Sequence, residues 1–208
     1  MKKLMLIFIC LIISSHALKS QEVSKIFTSK KATWYGLDFS KVKLIGSEGF
    51  TDALKIKNVF FSSWNNLIIN EPAKYNLQLM FHKDTVFFDL SVVEKRNKLP
   101  EVDELVINND TYSLDKSTID EIIKKYNTKE KEGLGIVFIM ESFDKPKRLG
   151  TMWVTFFDIA SKTVLLTEKM SGKPEGAGFR NYWARTYYNV MAKIKKTEYL
   201  KWETEYNK

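Results

Sequence analysis

Five consecutive apolar residues, Ile136–Met140, constrain the fold of this chain more than any other segment. Gly133 and Gly135 introduce the run, and no polar residue interrupts it. A strand of this kind is typical of the centre of a sheet, where both of its faces are covered. The sequence therefore predicts a central strand here, with other elements packed on each side of it.

Three segments show the three- and four-residue apolar spacing of an amphipathic helix. They are Thr51–Asn70, Asp115–Tyr126 and a closing segment from Phe179 to about Tyr199. Pro72 ends the first helix or starts another, and an apolar stripe continues behind it to Phe81. We therefore expect a bent helical pair in this region.

Alternating, β-branched or aromatic patterns mark the remaining strands. Thr85–Val93 alternates with period two, so its even and odd residues belong to opposite faces. Ala160-Ser161-Lys162 separates two such segments and predicts a hairpin. The predicted strands besides the central one are residues 32–39, 42–46, 85–93, 105–107, 151–159 and 163–170.

This order of elements predicts an α/β (α+β) fold with a single mixed β-sheet of about five strands. Helices pack on the sheet, and a carboxyl-terminal β-hairpin is followed by a helix. We expect residues 21–31 to be a flexible lead-in, residues 32–200 to be a single globular domain, and residues 201–208 to be a polar tail.

Residues 1–20 have the pattern of a secretory signal peptide. A basic start, Met1-Lys2-Lys3, is followed by an apolar run from Leu4 to Ile13 that is too short to span a bilayer. Cleavage is expected after Ala17 or after Ser20. Lipidation at Cys10 and a buried amino-terminal element are the alternatives. The signal predicts an exported protein, periplasmic or extracellular, and not an integral membrane protein.

Cleavage would change the chemistry available to the chain. It would remove Cys10, which is the only cysteine, and with it disulfides, thiol nucleophiles and thiolate metal sites. The net charge would fall from +8 to +6 when Lys2 and Lys3 leave, or to +5 when Lys19 also leaves. A basic surface suits anionic partners. Nucleic acid is not expected, because the lysines are dispersed among acids, as in Lys129–Glu132.

One hairpin motif carries a resemblance to known proteins. The segment Phe157-Asp158-Ile159-Ala160-Ser161-Lys162-Thr163-Val164 follows a helix, a buried strand and a charged turn. This order, over roughly residues 115–194, resembles small periplasmic envelope domains of the TolB amino-terminal and lipoprotein-assembly type. The chain also resembles uncharacterised exported proteins of Gram-negative bacteria. The resemblance implies a binding or assembly role at the periplasmic face and supplies no catalytic residue.

The sequence contains no recognised catalytic, metal or nucleotide motif. His82 is the one histidine left after cleavage, and the G-x-S-x-G, H-E-x-x-H and P-loop patterns do not occur. We therefore predict no metal site, no cofactor and no defined catalytic residue. Paired carboxylates have no sequence signature, because their pairing is spatial. Asp89 and Glu141, which interrupt or close apolar strands, are the candidate acids if the protein is an enzyme.

The loop before the closing helix is the candidate ligand site. Glycines allow close backbone approach to a ligand, a helix start favours anions, and arginine grips carboxylate or phosphate. Trp183 could stack on a sugar. The alternative is an ordinary loop whose aromatic residues fill the core and whose arginines pair with Glu175 or another acid. The candidate ligand-binding residues are Gly176, Gly178, Arg180, Asn181, Trp183 and Arg185.

Two main functional hypotheses follow from these patterns, and a third possibility, a small-ligand carrier, would need an enclosed apolar cavity. The first is an exported envelope protein that binds an envelope protein or an anionic envelope ligand and has no catalytic machinery. The second is a hydrolase that acts on an envelope polymer through a carboxylate pair. The lack of catalytic motifs favours binding over catalysis.

Overall fold

A computed structural model describes residues 22–207 of the chain. The predicted signal peptide, residues 1–20, lies outside the described residues. The α/β fold is confirmed, because helices cover a single mixed sheet and a carboxyl-terminal hairpin leads into a helix. The sheet has seven strands, whereas about five were expected. Two of the seven are only three and two residues long.

The central strand organises the sheet. One edge of β5 pairs in parallel with β1 and then with β2, and its other edge pairs antiparallel with β6. β3 and β4 extend the parallel part outside β1 and β2, and β7 pairs with β6. The strands are β1 (Lys31–Asp38), β2 (Lys43–Ile45), β3 (Thr85–Phe88), β4 (Val106–Ile107), β5 (Leu134–Asp144), β6 (Leu149–Asp158) and β7 (Val164–Gly172).

The helices include two long ones, each with a π-helical turn. Helix α2 comprises Ala53–Lys55, the π-turn Ile56–Phe60, and Phe61–Asn70. Helix α7 comprises Phe179–Lys193, the π-turn Ile194–Glu198, and Tyr199–Tyr206. The others are α1 (residues 22–28), a 3-10 turn (Ser47–Gly49), α3 (Leu77–Met80), α4 (Ser91–Arg96), α5 (Val102–Leu105) and α6 (Lys116–Lys124).

Both faces of β5 are covered, as the apolar run predicts. Ile136 and Phe138 belong to the large core that α2 and α7 share with one face of the sheet. Val137 and Ile139 belong to a second core, which α4 and α6 cover. Every residue of β5 is buried. The fold is therefore a sheet between two helical layers.

The edge of β1 beyond β3 is paired by side chains instead of a strand. The Asn65 amide accepts from Leu37 N at 2.7 Å and donates to Leu37 O at 3.0 Å. The Asn97 side chain accepts from Phe39 N at 2.6 Å. Gly36 allows this approach, because it has φ of +101° and a Cβ there would lie 2.4 Å from Asn65 Oδ1. These two buried asparagines are thus structural.

Several predicted boundaries differ from the structure. The strand predicted over 85–93 ends at Phe88, because Asp89 Oδ1 accepts from Ser91 N at 3.0 Å and α4 then begins. The bent helical pair is reduced to the single turn of α3 behind Pro72. Both described ends of the chain are helical: Val23 and Ile26 of α1 are buried, and Trp202 is buried in a helix that reaches Tyr206. Those residues were expected to be a lead-in and a polar tail, but their apolar side chains complete the large core.

Candidate functional site

The predicted loop forms an open corner at the amino end of α7. Gly176 and Gly178 adopt φ of +105° and +77°, and no other atom lies within 4 Å of where a Cβ would stand. Arg180 and Asn181 are exposed in the first turn of α7. Arg180 Nε donates to Asn181 Oδ1 at 3.1 Å. Four of the predicted residues are therefore accessible to a ligand.

Trp183 is not part of that corner, although the sequence pattern places it among the candidate ligand-binding residues. Only 1% of the residue is exposed. Its ring lies 5.4 Å from that of Phe50 and 4.7 Å from that of Phe143, measured between centroids. It lies on the inward stripe of α7, so its apolar surface contributes to the core, as the alternative interpretation of the loop expects.

Arg185 lies on the outer side of α7, where it meets a segment remote in sequence. Its guanidinium carbon lies 4.6 Å from the centroid of the Tyr188 ring. Lys74 Nζ lies 5.9 Å from the same ring and 5.0 Å from the ring of Tyr75. Two cations thus converge on one aromatic side chain, although like charges repel.

The acids that face these cations are exposed. Glu175 lies 3.6 Å from Arg185 Nε, and Glu71 lies 3.3 Å from Lys74 Nζ. The side chains of Glu175 and Glu71 are 71% and 41% exposed. The Arg185–Glu175 pair is the one that the alternative interpretation expects. Exposed ion pairs contribute little free energy, so a ligand oxyanion can compete with either carboxylate.

Two buried polar atoms of this cluster form no hydrogen bond among residues 22–207. They are the Tyr75 hydroxyl and the Nε of Arg185. Burial raises the pKa of Tyr75, and the positive charges of Lys74 and Arg185 oppose that rise. The Tyr75 hydroxyl therefore stays protonated near neutral pH. It also interacts electrostatically with both cations. Buried polar groups normally have partners, so this cluster is incomplete as it stands.

Two cavities adjoin at Lys74, which lines both. The first, of about 440 Å³, is also lined by Arg180, Asn181 and Arg185. The second, of about 490 Å³, runs between α3 and α7 over Leu79, Tyr188 and Met191. We call the two cavities together the α7 cleft. One part is polar and cationic, and the other has an apolar floor with lysines at its rim.

The two candidate acids are held apart by separate sets of partners. Glu141 accepts from Leu114 N at 2.9 Å and from Trp153 Nε1 at 3.0 Å, and lies 2.7 Å from Lys169 Nζ. Asp89 lies 3.4 Å from Lys129 Nζ. Neither acid lines the α7 cleft, and they share no partner among residues 22–207. Each carboxylate therefore ties together backbone and side chains of its own surroundings.

No protein-family model matches the chain, and a search of curated proteins found no match. Across the described part of the chain, residues 22–207, no three or more His, Cys, Asp or Glu side chains form a group that could hold a metal ion. None of the helices in this part is both long and apolar enough to cross a membrane.

Sequence reasoning found one side of the cleft and missed the other. Lys74 and Tyr75 lie about a hundred residues before Arg185 and directly after Pro72, in a segment read as part of an apolar helical stripe. No local pattern links them to α7. Only the packing of the loop between α2 and α3 against α7 brings these residues together.

Proposed function

We propose that this protein is a non-enzymatic binding protein of the cell envelope, and that its α7 cleft binds an anionic amphiphile. The observation that carries the proposal is the convergence of Lys74 and Arg185 on Tyr188, beside a Tyr75 hydroxyl that donates to no acceptor among residues 22–207. An oxyanion placed there would meet two cations and a hydroxyl donor, and charge-assisted hydrogen bonds of this kind are the strong ones.

The apolar part of the cleft supports a ligand with an alkyl chain. Leu79 is 53% exposed in the second cavity, which also contains Met191. Lys195 and Lys196 line the same cavity on α7. An amphiphile would cover the exposed apolar side chains while its head group stayed near the cations. The predicted export signal and the resemblance to periplasmic domains both agree with a ligand of the envelope.

Calorimetric titration with decyl phosphate, kept below its micelle-forming concentration, tests this proposal. We expect saturable binding that depends on the cations of the α7 cleft. Replacing Lys74→Gln or Arg185→Gln should weaken it about tenfold, because each removes one charge-assisted contact. Lys116→Gln, an exposed change on the opposite face of the sheet, is the matched control and should leave the affinity unchanged.

Two comparison ligands make the titration specific. Decanol has the chain without the charge, and inorganic phosphate has the charge without the chain. Both should bind more weakly than decyl phosphate. Equal affinities for decanol and decyl phosphate, or equal affinities of Lys74→Gln, Arg185→Gln and the parent protein, would contradict the proposed site.

An assembly role is a second candidate, supported by the outer edge of the sheet. Phe87 and Phe88 of β3 are 50% and 49% exposed. Among residues 22–207, β3 pairs only with β1, so its other edge can pair with a further strand. Sedimentation equilibrium should then detect self-association that Phe87→Ser weakens. A monomer at all concentrations would contradict this candidate.

A further inference from the structure

A buried carboxylate lies where β1 ends. Asp38 has no exposed surface. Its Oδ1 accepts from Ser40 N at 2.7 Å. Its Oδ2 accepts from Arg96 Nε at 2.7 Å and from the Tyr126 hydroxyl at 2.8 Å. Burial and the charge of Asp38 hold the pKa of Tyr126 well above its usual range, so this hydroxyl remains a donor.

Asp38 and its neighbours fix the orientation of Arg96. Arg96 Nη2 donates to Ser40 Oγ at 2.8 Å, and the guanidinium carbon lies 5.3 Å from the centroid of the Tyr126 ring. The guanidinium has five N–H donors, and these bonds use two of them. Its side chain is 11% exposed. The remaining donors are thus held in place at the edge of solvent.

That edge opens into a cavity of about 420 Å³. Besides Ser40 and Arg96, three lysines and two glutamates contribute to its walls. The Lys43 ammonium is held by Glu104 O at 2.6 Å. Lys41 and Lys125 are exposed and form no ion pair within residues 22–207. Asp38 compensates the charge of Arg96, so the lining keeps one positive charge in excess over Glu101 and Glu104.

The topology of the sheet independently favours this position. From β1 the chain enters β2, which continues along the same edge of β5, and it then passes over one face, through α2, to β3 on the side of β1 away from β5. It returns over the other face, through α4, to β4 beside β2, and then through α6 to β5. The strand order therefore reverses at β1. In open α/β sheets ligands bind outside the carboxyl ends of strands at such a reversal.

We propose that the cavity at the carboxyl end of β1 is a second binding site, which takes the oxyanion of a small ligand, a carboxylate or a phosphate. Arg96 supplies oriented donors, and Lys41 and Lys125 supply the net charge. The site is separate from the α7 cleft, because the two share no lining residue.

Titration of the protein with inorganic phosphate and with acetate, followed by amide NMR, tests the site and separates the two oxyanions. We expect saturable shifts at residues 40–43 with at least one of them. Arg96→Lys keeps the positive charge but loses the planar set of guanidinium donors, so it should weaken binding about tenfold. Lys41→Gln/Lys125→Gln should do the same and does not touch Asp38, so it tests the site even where Arg96→Lys is unstable.

Two matched changes complete the experiment. Lys124→Gln removes an equivalent exposed charge beside Lys125, and Lys74→Gln removes a charge from the α7 cleft. Neither should weaken the binding observed at residues 40–43. The proposal fails if neither anion produces saturable shifts there, or if Lys124→Gln or Lys74→Gln weakens binding as much as Lys41→Gln/Lys125→Gln. It fails independently of the proposed function, which concerns decyl phosphate in the other cavity.

Discussion

Asp38 is a buried charge that a full set of hydrogen bonds holds in place. Three donors from three different parts of the chain reach its two oxygens. A carboxylate with no exposed surface is tolerated only with such partners, because removing it from water costs several kcal/mol. The end of β1, α4 and the end of α6 are thereby tied to one side chain.

Replacing Asp38→Asn should lower the free energy of unfolding by about 3 kcal/mol, because the partly buried guanidinium of Arg96 loses its counter-ion. Urea denaturation measures the change. Asp110→Asn is the matched control, since Asp110 is 70% exposed and lies 3.6 Å from Lys147 Nζ. It should change the stability by less than about 0.5 kcal/mol. Equal effects of the two variants would contradict the role given to Asp38.

Lys83 is a buried cation that joins both ends of the described chain. Its ammonium donates to the carbonyls of Ile26 and Ser29 and to the Tyr199 hydroxyl. Only 5% of the residue is exposed, and burial lowers its pKa from 10.5 to about 8. The folded protein therefore releases this proton at lower pH than the unfolded chain does.

The stability contributed by Lys83 should accordingly rise between about pH 8 and pH 10. The parent protein should gain about 2 kcal/mol over Lys83→Met between pH 7 and pH 10. Urea denaturation of both proteins at the two pH values measures this difference, in which other titrating groups cancel. A difference that stays constant or shrinks would show that the carbonyl acceptors keep the ammonium charged.

For single residues, the sequence predicted some positions and missed others, and each outcome has a physical reason. Arg180 and Asn181 could be placed at a helix start from the preceding glycines. Asp38 carried no signal, because its partners Arg96 and Tyr126 are distant in sequence. Trp183 fits two patterns: the inward-facing stripe of a helix, and an aromatic residue close to arginines in a binding loop. The structure shows the first, because a large apolar side chain gains free energy when it is buried.

Among the elements, β5 and α7 set the packing of the molecule. Helix α7 lies close to β6 and β7 because glycines face it from both strands. A Cβ on Gly172 would lie 2.2 Å from the backbone oxygen of Thr186, and one on Gly150 would lie 2.7 Å from the Thr186 side chain. Close approach at these positions lets α7 bury Tyr187 and Val190 against the sheet.

Gly172→Ala should destabilise the protein by about 2 kcal/mol, because the backbone of α7 must move to admit the methyl group. Thermal or urea unfolding would detect this loss. Lys173→Ala, at the exposed neighbouring position, should change the free energy of unfolding by less than about 0.5 kcal/mol. An unchanged midpoint for Gly172→Ala would mean that the contact between helix and strands is looser than described.

Strong apolar periodicity predicted the helices and strands well. Where the prediction was too long, a local side-chain hydrogen bond explains the difference. The uninterrupted run of β5 and the stripes of α2, α6 and α7 were sufficient, because each reflects burial over many residues. The strand predicted over 85–93 was too long, because the side-chain bond from Asp89 to Ser91 N starts α4. One short hydrogen bond of this kind outweighs a weak alternation.

At the scale of the whole molecule, the concave places that the two helical layers and the sheet leave include one beside α7 and one at the carboxyl end of β1. Both are built by segments distant in sequence, so neither could be assembled from local patterns. Both present cations with few buried acids to oppose them. These features are the basis on which we propose a binding role with anionic ligands.

Export is the whole-molecule prediction that sequence alone supports. Intact-mass measurement of the protein recovered from its native cells should show the loss of residues 1–17 or 1–20. Either cleavage leaves α1 in place, so the contacts of Lys83 with Ile26 and Ser29 should survive. Recovery of the full-length chain from the cell interior would contradict the predicted signal peptide.

The location of a bound amphiphile tests the central claim most directly. Amide NMR spectra recorded during titration with decyl phosphate report which residues the ligand approaches. We expect saturable shifts concentrated at residues 73–80 and 180–196, which line the α7 cleft from its two sides. Shifts confined to other surfaces, or no saturable shift at all, would contradict it.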